Sequence, residues 1–208
     1  MKDNNEENMG ELEFRELEYK YSADDISLED FRKVMMNVRK NYPSSEKRIV
    51  EVSSWDTYYT NGKDEFIRYR DSQVKPELTI KRKTQTANNN HRIEVNLPLD
   101  LRGMCSEERE KMVKEFTSLL GFTENFKIYK TCFIYFIGDL NYVYYIVYDR
   151  HMKEQRRFLE IEFSEERAKH FNSDEVFKKL NEYESFLEPL DLKSRNKLKK
   201  SLFEFFKK

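Results

Sequence analysis

The sequence has little cysteine, and no apolar run in it is long enough to span a bilayer. Its two cysteines, Cys105 and Cys132, offer no disulfide framework and no zinc-ligand spacing, which favours a reducing compartment. The first ten residues, MKDNNEENMG, are polar and acidic, unlike a secretory or mitochondrial leader. We therefore expect a soluble, cytoplasmic protein that makes no use of a membrane.

The sequence also lacks an excess of charge of either sign. Lys and Arg number 38 against 39 Asp and Glu, so the net charge is −1 although 37% of the residues are charged. This balance argues against a protein that coats double-stranded DNA, which should be basic. No low-complexity linker or change of composition divides the chain, and 14% of it is aromatic. We predict one domain over residues 1–208, with residues 1–10 as a disordered tail.

Alternation with period two dominates the chain and predicts many antiparallel strands, interrupted by helices, in an α+β fold. After the opening stretch LEYKY, the predicted strands are KRIVEVSS, DTYYT, EFIRYRD, ELTIKRKT, HRIEVNLPL, FKIYKTCFIYFI, YVYYIVYD and RRFLEIEF. Asn61-Gly62 predicts a hairpin turn. Helices are predicted after Ser27, from Ser106 to Gly121, from Ser173 to Leu187 and from Ser194 to Phe206.

Charged side chains follow one face of several of these strands, because they recur at every second position. Carboxylates recur on the first and last predicted strands, and cations on two middle ones. The set consists of Glu16, Glu18 and Lys20; Arg68 and Arg70; Lys81 and Lys83; Arg92 and Glu94; Lys130; Asp149; and Glu160 and Glu162. Arg82 is the one cation on the apolar side of its strand.

A solvated sheet face would also show polar alternation, but such a face usually mixes its signs. Segregated like charges repel each other unless a ligand of opposite charge binds between them. Carboxylate pairs suit Mg²⁺ or Mn²⁺, whereas Arg and Lys pairs suit a chain of phosphates. For these faces to converge they must point inward, which predicts a closed antiparallel β-barrel, or tunnel, with the helices packed outside.

The ordered motifs resemble those of the CYTH superfamily, the triphosphate tunnel metalloenzymes. Glu16-Leu17-Glu18-Tyr19-Lys20 matches the hallmark E-x-E-x-K, and DTYY, IRYR, LTIKRK, RIEV, Asp149, FLEIE and SLFEF are similar to later family elements in the same order. The resemblance extends over nearly the whole chain. Two features depart from the pattern: Cys132 stands where an arginine is common, and the glycine before the closing E-x-E is absent.

The resemblance implies a Mg²⁺- or Mn²⁺-dependent triphosphatase that holds its substrate end-on in a tunnel. It implies metal binding by Glu16, Glu18, Glu160 and Glu162, with Glu94 and Asp149 as metal ligands or as residues that orient the cations. It implies phosphate binding by Lys20, Arg68, Arg70, Lys81, Lys83, Arg92 and Lys130. Glu16, Glu18 and Lys20 are the predicted catalytic residues.

Several alternatives stay open at this point. The substrate is inorganic tripolyphosphate, a nucleoside or thiamine triphosphate, or an RNA 5′ end. Relatives that cyclise ATP make a class IV adenylyl cyclase the rival activity, and a polyphosphate-binding module without turnover is a third reading. The basic C-terminal stretch KSRNKLKKSLFEFFKK predicts a helix that packs Leu198, Leu202 and Phe205 on the barrel, rather than a membrane or RNA contact. The oligomeric state is open.

Overall fold

The computed structural model of the chain describes residues 18–41, 49–63, 65–72, 76–83, 92–100, 103–163, 171, 173–192 and 197–207. One eight-stranded antiparallel sheet forms its centre, so the predicted α+β class is confirmed. The strands are β1 (Glu18–Ser22), β2 (Ile49–Thr60), β3 (Glu65–Asp71), β4 (Glu77–Lys83), β5 (Arg92–Pro98), β6 (Thr123–Ile137), β7 (Leu140–Tyr148) and β8 (Glu154–Phe163). KRIVEVSS and DTYYT, predicted as two strands, belong to the single strand β2.

The strands are ordered β1-β8-β7-β6-β2-β3-β4-β5, and each neighbouring pair is antiparallel. Gly62, at a φ of 76°, provides the predicted turn between β2 and β3, since glycine adopts positive φ at no steric cost. No ladder among the described residues joins β5 to β1. The sheet is therefore open as described, and the predicted closed barrel is not confirmed.

The sheet is nevertheless strongly curved. Residues Leu198 to Phe203 touch both β1 and β3: the Leu198 N–H donates to the Lys20 carbonyl at 2.7 Å, and the Phe203 ring stacks on Phe66 at 4.5 Å. β1 and β3 are five positions apart in the strand order, which is about 24 Å in a flat sheet. A segment this short reaches both strands because the sheet bends around it.

The helices α1 (Leu28–Asn41), α2 (Ser106–Leu119) and α3 (Ser173–Glu184) are followed by a 3₁₀ segment (Ser185–Leu190) and a short α4 (Leu202–Phe206). Ser27 caps α1 as predicted, because its hydroxyl accepts from the Asp30 N–H at 3.0 Å. The predicted cap of α2 is wrong. Ser106 is the first helical residue and hydrogen-bonds Asp71, while Cys105 occupies the N-cap position.

Two apolar clusters lie on the convex face of the sheet. α1, α3 and the 3₁₀ segment cover one end of it, where Phe31 stacks on Tyr144 at 5.3 Å and packs edge-on against Tyr135. α2 covers β2, β3 and the start of β6 through Val113, which packs in one cluster with Tyr59 and Tyr69. These helices lie outside the sheet, as the amphipathic strands predicted.

The C-terminal segment lies on the concave face instead. α4 begins after Ser201, whose hydroxyl accepts from the Glu204 N–H, and Phe203 stacks against Phe66. The predicted helix from Ser194 is therefore wrong over residues 197–200, which are not helical, and residues 193–196 lie outside the described part. Part of the concave face is apolar, which the alternation of charges did not predict. None of the described helices combines the length and the apolar character needed to cross a membrane.

Candidate metal and phosphate site

Three carboxylates meet on the concave face, where β1 and β8 pair. Glu18 lies opposite Glu162, and Lys20 lies opposite Glu160, so the register places Glu18 and Lys20 of β1 level with the E-x-E of β8. One carboxylate oxygen from each of Glu18, Glu160 and Glu162 lies within 4.8 Å of the other two. Like charges this close repel one another, so the group requires nearby cations.

Lys20 provides part of that positive charge. Its Nζ lies 2.6 Å from Glu18 Oε1 and 3.1 Å from Glu160 Oε1, and its side chain is buried. A buried ammonium held by two carboxylates satisfies most of its three donors. Lys20 therefore holds two of the three carboxylates at a fixed separation.

Tyr145, on β7, also contacts Glu160, and it does so from the neighbouring strand on the other side of β8. Its hydroxyl donates to Glu160 Oε1 at 2.7 Å, and both groups are buried. Burial alone would raise the pKa of Glu160, but Lys20, Lys130 and the Tyr145 hydrogen bond together hold it below its ordinary value. Glu160 is thus ionised at neutral pH, as a metal ligand must be.

A second charged group is built around Asp56 on β2, which is fully buried. Arg70 grips it with two bonds, Nε to Oδ1 at 3.0 Å and Nη2 to Oδ2 at 3.1 Å. Ser54 donates to Oδ1 at 3.1 Å, and Lys130 Nζ lies 3.9 Å from Oδ2. Burial opposes ionisation of Asp56, yet Arg70, Lys130 and Arg68 keep its pKa well below the usual range.

Lys130 connects the two charged groups. Its ammonium lies over the Tyr145 ring, 4.5 Å from the centroid, while it also faces Asp56. Its charge lowers the pKa of Glu160 as well as that of Asp56. Residues from β1, β2, β3, β6, β7 and β8 therefore form one electrostatic unit on the concave face.

Arg68 and Lys81 extend this unit along β3 and β4. Arg68 Nη2 donates to Thr79 Oγ1 at 2.9 Å and lies 3.5 Å from Glu77 Oε1. Thr79 in turn donates to Asn96 Oδ1 at 2.7 Å. Lys81 is buried and lies across from Phe66 in the ladder. A partly buried row of cations of this kind is suited to binding a polyanion.

The remaining predicted residues are outside this unit or cannot be placed in it. Glu16 lies outside the described residues, and for Lys83, Arg92 and Glu94 only the backbone is described. Asp149 lies in the β7–β8 turn, where its carboxylate accepts from the backbone N–H groups of His151 and Lys153 and from the Gln155 side chain. The structure does not bring Asp149 to the three carboxylates.

Sequence reasoning assigned no role to Asp56 and Tyr145, although both contact site residues. Asp56 was noted only as part of the DTYY motif, and Tyr145 is one of several tyrosines in β7. For Asp56, the available signal in the sequence was its alternation with Ser54 and Tyr58, which places its carboxylate on the same face of the strand. Cys132, where the resemblance expects an arginine, lies near Lys130, Arg70 and Asp56, and burial raises the pKa of its thiol.

The three carboxylates fit a divalent metal ion. Glu18, Glu160 and Glu162 supply hard oxygen donors from two paired strands, and such ligands suit Mg²⁺ or Mn²⁺. Mg²⁺ is commonly bound by one or two carboxylates together with substrate phosphates, and the row of cations begins directly beside this group.

No protein-family model matches the chain, and no curated protein matches it in sequence. Several solved structures share its fold. The PH1012 protein of Pyrococcus horikoshii has a TM-score of 0.61 at 18% identity, covering 83% of this chain and 90% of that one. The PH1819 protein of the same organism has a TM-score of 0.57 at 20% identity, covering 91% and 97%.

A third similar structure is a proposed adenylate cyclase from Bacillus halodurans. Its TM-score is 0.54 at 12% identity, and the match covers 92% of this chain and 96% of that one. At these identities the likeness concerns the fold and not the activity. The chain shares the fold of these solved structures over most of its length, in agreement with the architecture that the motif resemblance implied.

Proposed function

We propose that the chain is a divalent-metal-dependent triphosphatase that hydrolyses the terminal phosphoanhydride of a triphosphate. The proposal rests mainly on one observation: three clustered carboxylates lie beside a row of buried cations on the concave face. A metal-bound triphosphate carries both kinds of charge that this arrangement complements. On a solvent-exposed sheet face, grouping charges of one sign would be destabilising, because neighbouring like charges repel each other.

The protein contributes mainly position and charge. Arg70 and Lys130, both held by Asp56, and Arg68, held by Thr79, present donors to the phosphate oxygens. Lys20 adds a further donor between the carboxylates and the phosphates. Glu18, Glu160 and Glu162 would hold the metal, which supplies Lewis-acid stabilisation of phosphate charge and lowers the pKa of a coordinated water.

Hydrolysis then follows the usual in-line course. The water oxygen forms a bond to the terminal phosphorus, and the bond from that phosphorus to the bridging oxygen breaks. The remaining diphosphate end takes the electron pair, and the proton of the water passes to solvent or a phosphate oxygen. The reaction consumes only water and the triphosphate, and catalysis by the metal and the fixed charges depends mostly on orientation and electrostatics.

We further propose that the concave face forms a tunnel or deep cup in the working protein. The strong curvature of the sheet supports this, and α4 would close one end, so that a triphosphate enters from the other end with its terminal phosphate first. Tripolyphosphate, a nucleoside or thiamine triphosphate, and an RNA 5′ end all satisfy that requirement. A reducing, cytoplasmic location is in keeping with the free thiols of Cys105 and Cys132.

A phosphate-release panel tests the proposal. Purified protein is assayed with tripolyphosphate, ATP, thiamine triphosphate and triphosphorylated RNA, each with Mg²⁺ and with Mn²⁺. We expect release from at least one substrate, and a loss of about 100-fold or more in Glu18→Ala, which removes a predicted metal ligand. Glu51→Ala is the matched control, because Glu51 is an exposed strand carboxylate that faces Arg32 at 3.8 Å. No release from any substrate with either metal contradicts the proposal.

The same panel separates the rival readings. Cyclic AMP and pyrophosphate from ATP with Mn²⁺ would identify a cyclase, an activity proposed for the similar protein of Bacillus halodurans. Tight binding of tripolyphosphate by calorimetry, without any product, would identify a polyphosphate-binding module. Hydrolysis differs from both because it yields orthophosphate.

A further inference from the structure

The strand β1 carries Glu18 and Lys20, and few backbone bonds hold it in the sheet. It has five residues, and among the described residues its one ladder is with β8. A short edge strand of this kind opens easily, because it is paired on one side. The carboxylate cluster nevertheless depends on its place, since Glu18 comes from β1 and the other two carboxylates come from β8.

The convex side of β1 is bound to α3. Tyr19 and Tyr21 alternate with Lys20, so their side chains lie on the face opposite to the site. The Tyr19 hydroxyl donates to Asn181 Oδ1 at 2.8 Å. The Tyr21 hydroxyl donates to Glu184 Oε1, at the C-terminal end of α3. Both Tyr21 and Glu184 are buried, so this contact is shielded from water.

Lys197 connects the C-terminal segment to the same contact. Its Nζ lies 3.0 Å from Glu184 Oε2 and 3.6 Å from the centroid of the Tyr19 ring. The next residue, Leu198, donates its N–H to the Lys20 carbonyl at 2.7 Å. Two consecutive residues of the C-terminal segment therefore hold β1 along the edge opposite to β8.

Lys20 joins these contacts to the site. Its carbonyl accepts from Leu198, while its ammonium lies 2.6 Å from Glu18 Oε1 and 3.1 Å from Glu160 Oε1. A shift of β1 relative to β8 would move this ammonium and the Glu18 carboxylate together. The 4.8 Å grouping of the three carboxylates therefore depends on how firmly β1 is held.

We propose that Glu184 and Lys197 are positioning residues, which hold β1 and thereby keep Glu18 beside the two carboxylates of β8. Glu184 acts from the convex face through the Tyr21 hydroxyl. Lys197 acts through Glu184 and places the following N–H against the edge of the strand. This assignment rests on the proposed function, because Glu18 is one of the proposed metal ligands.

Lys197→Met tests the assignment, because it removes the ammonium and keeps the length of the side chain. Lys179→Met is the matched control. The Lys179 ammonium also pairs with a carboxylate, Asp139 Oδ2 at 2.7 Å, and also lies over an aromatic ring, with the Phe171 centroid 4.9 Å away. That pair ties α3 to the turn between β6 and β7 instead of to β1.

Two measurements separate the hold on β1 from its effect on the site. Hydrogen exchange followed by mass spectrometry, without metal, measures the opening of β1, and Mn²⁺ titration followed by electron paramagnetic resonance measures metal affinity. We expect Lys197→Met to speed exchange of the β1 amides about fivefold and to weaken Mn²⁺ binding about fivefold. Lys179→Met should change neither quantity. Lys197→Arg keeps the charge and should retain the wild-type values.

Unchanged exchange of β1 in Lys197→Met would overturn the proposal. So would faster exchange with the Mn²⁺ affinity of the wild type, because the hold on β1 would then not position Glu18. An equal loss of affinity in Lys179→Met would also overturn it, since general destabilisation would explain both variants. A wild type that binds no Mn²⁺ would instead contradict the proposed function, and exchange of the β1 amides would still decide whether Lys197 holds the strand.

Discussion

Tyr145 and Tyr144 are neighbours on β7 whose hydroxyl groups point to opposite faces of the sheet. Tyr145 donates to Glu160 on the concave face at 2.7 Å, and Tyr144 donates to the Ile26 carbonyl on the convex face at 2.8 Å. Both rings are fully buried. Substitution of either tyrosine by phenylalanine removes the hydrogen bonds of a buried hydroxyl group, but only the bond of Tyr145 reaches the carboxylate cluster.

We predict that Tyr145→Phe weakens Mn²⁺ binding by about tenfold, because a partner that orients Glu160, a proposed metal ligand, is lost. Titration of Mn²⁺ followed by electron paramagnetic resonance measures this without any assay of activity. Tyr144→Phe is the control, with a similar loss of stability and unchanged Mn²⁺ affinity. Equal Mn²⁺ affinity in the two variants would show that Tyr145 has no part in positioning Glu160.

Asp56 makes the free energy of unfolding depend on pH in the acidic range. Burial alone would raise its pKa, but Arg70, Lys130 and Arg68 outweigh burial and lower the pKa in the folded chain. In the unfolded chain the Asp56 carboxylate has an ordinary pKa near 3.9, so it is protonated at a higher pH than in the folded chain. The stabilisation by Asp56 is therefore complete above about pH 5 and falls progressively as the pH drops below about 4.

We predict that Asp56→Asn lowers the free energy of unfolding by about 2–3 kcal/mol at neutral pH, because Arg70 loses its buried counter-charge. The variant should also lose part of the decline in stability below pH 4, since asparagine does not titrate. Urea unfolding between pH 3 and pH 7 measures both effects. A constant difference between variant and wild type across this range would argue against an ionised, buried Asp56.

At this scale the sequence predicted some of the residues that meet on the concave face and not others. Glu18, Lys20, Glu160 and Glu162 were predictable because alternation within one strand assigns each side chain to a face. The partners of Asp56 depend on two separate ladders, in which it lies opposite Arg70 on β3 and Ile128 on β6. Pairing between distant strands is not encoded in local spacing, so this charged group was visible only in the fold.

Among the elements, the C-terminal segment departs most from the sequence prediction. Phe203 contacts Phe66, Tyr58 and Phe126 with ring centroids 4.5, 6.3 and 5.9 Å away, and it is buried. Phe206 is only half-buried and has a tilted contact with Phe126 at 6.1 Å. The two residues therefore differ in how much they contribute to the packing of α4 on the concave face.

We predict that Phe203→Ala lowers the free energy of unfolding by about 3 kcal/mol, because it leaves a cavity among three rings. Phe206→Ala is the matched control in the same short helix, with an expected cost of about 1 kcal/mol. Urea unfolding of both variants provides the comparison. If the two costs are equal and small, α4 does not pack against the concave face.

The element boundaries show which local signals were reliable. Ser27 and the Asn61-Gly62 turn were identified correctly, because a cap or turn depends on a few adjacent residues. Ser106 was an equally good cap candidate, but its hydroxyl is bound by Asp71 of β3. A tertiary contact thus replaced a local one. The face of the sheet on which α4 packs could not be predicted from the sequence either, because an amphipathic helix packs equally well on either face.

For the whole molecule, the decisive property is the curvature that turns one sheet face inward. Alternation predicted that charged and apolar residues lie on opposite faces, and the prediction of an antiparallel α+β fold is confirmed, whereas the closed barrel is not. The sequence did not predict that the concave face divides into a charged part and an apolar part filled by α4. That division confines the described charged residues to one part of the concave face.

A crystal structure with Mn²⁺ and a non-hydrolysable imido analogue of tripolyphosphate tests whether the concave face binds a metal-bound triphosphate. We expect an anomalous manganese peak coordinated by Glu18, Glu160 and Glu162, with the analogue bound to Arg70 and Lys130 on the concave face. Manganese elsewhere, or an analogue bound to the convex face, would contradict it.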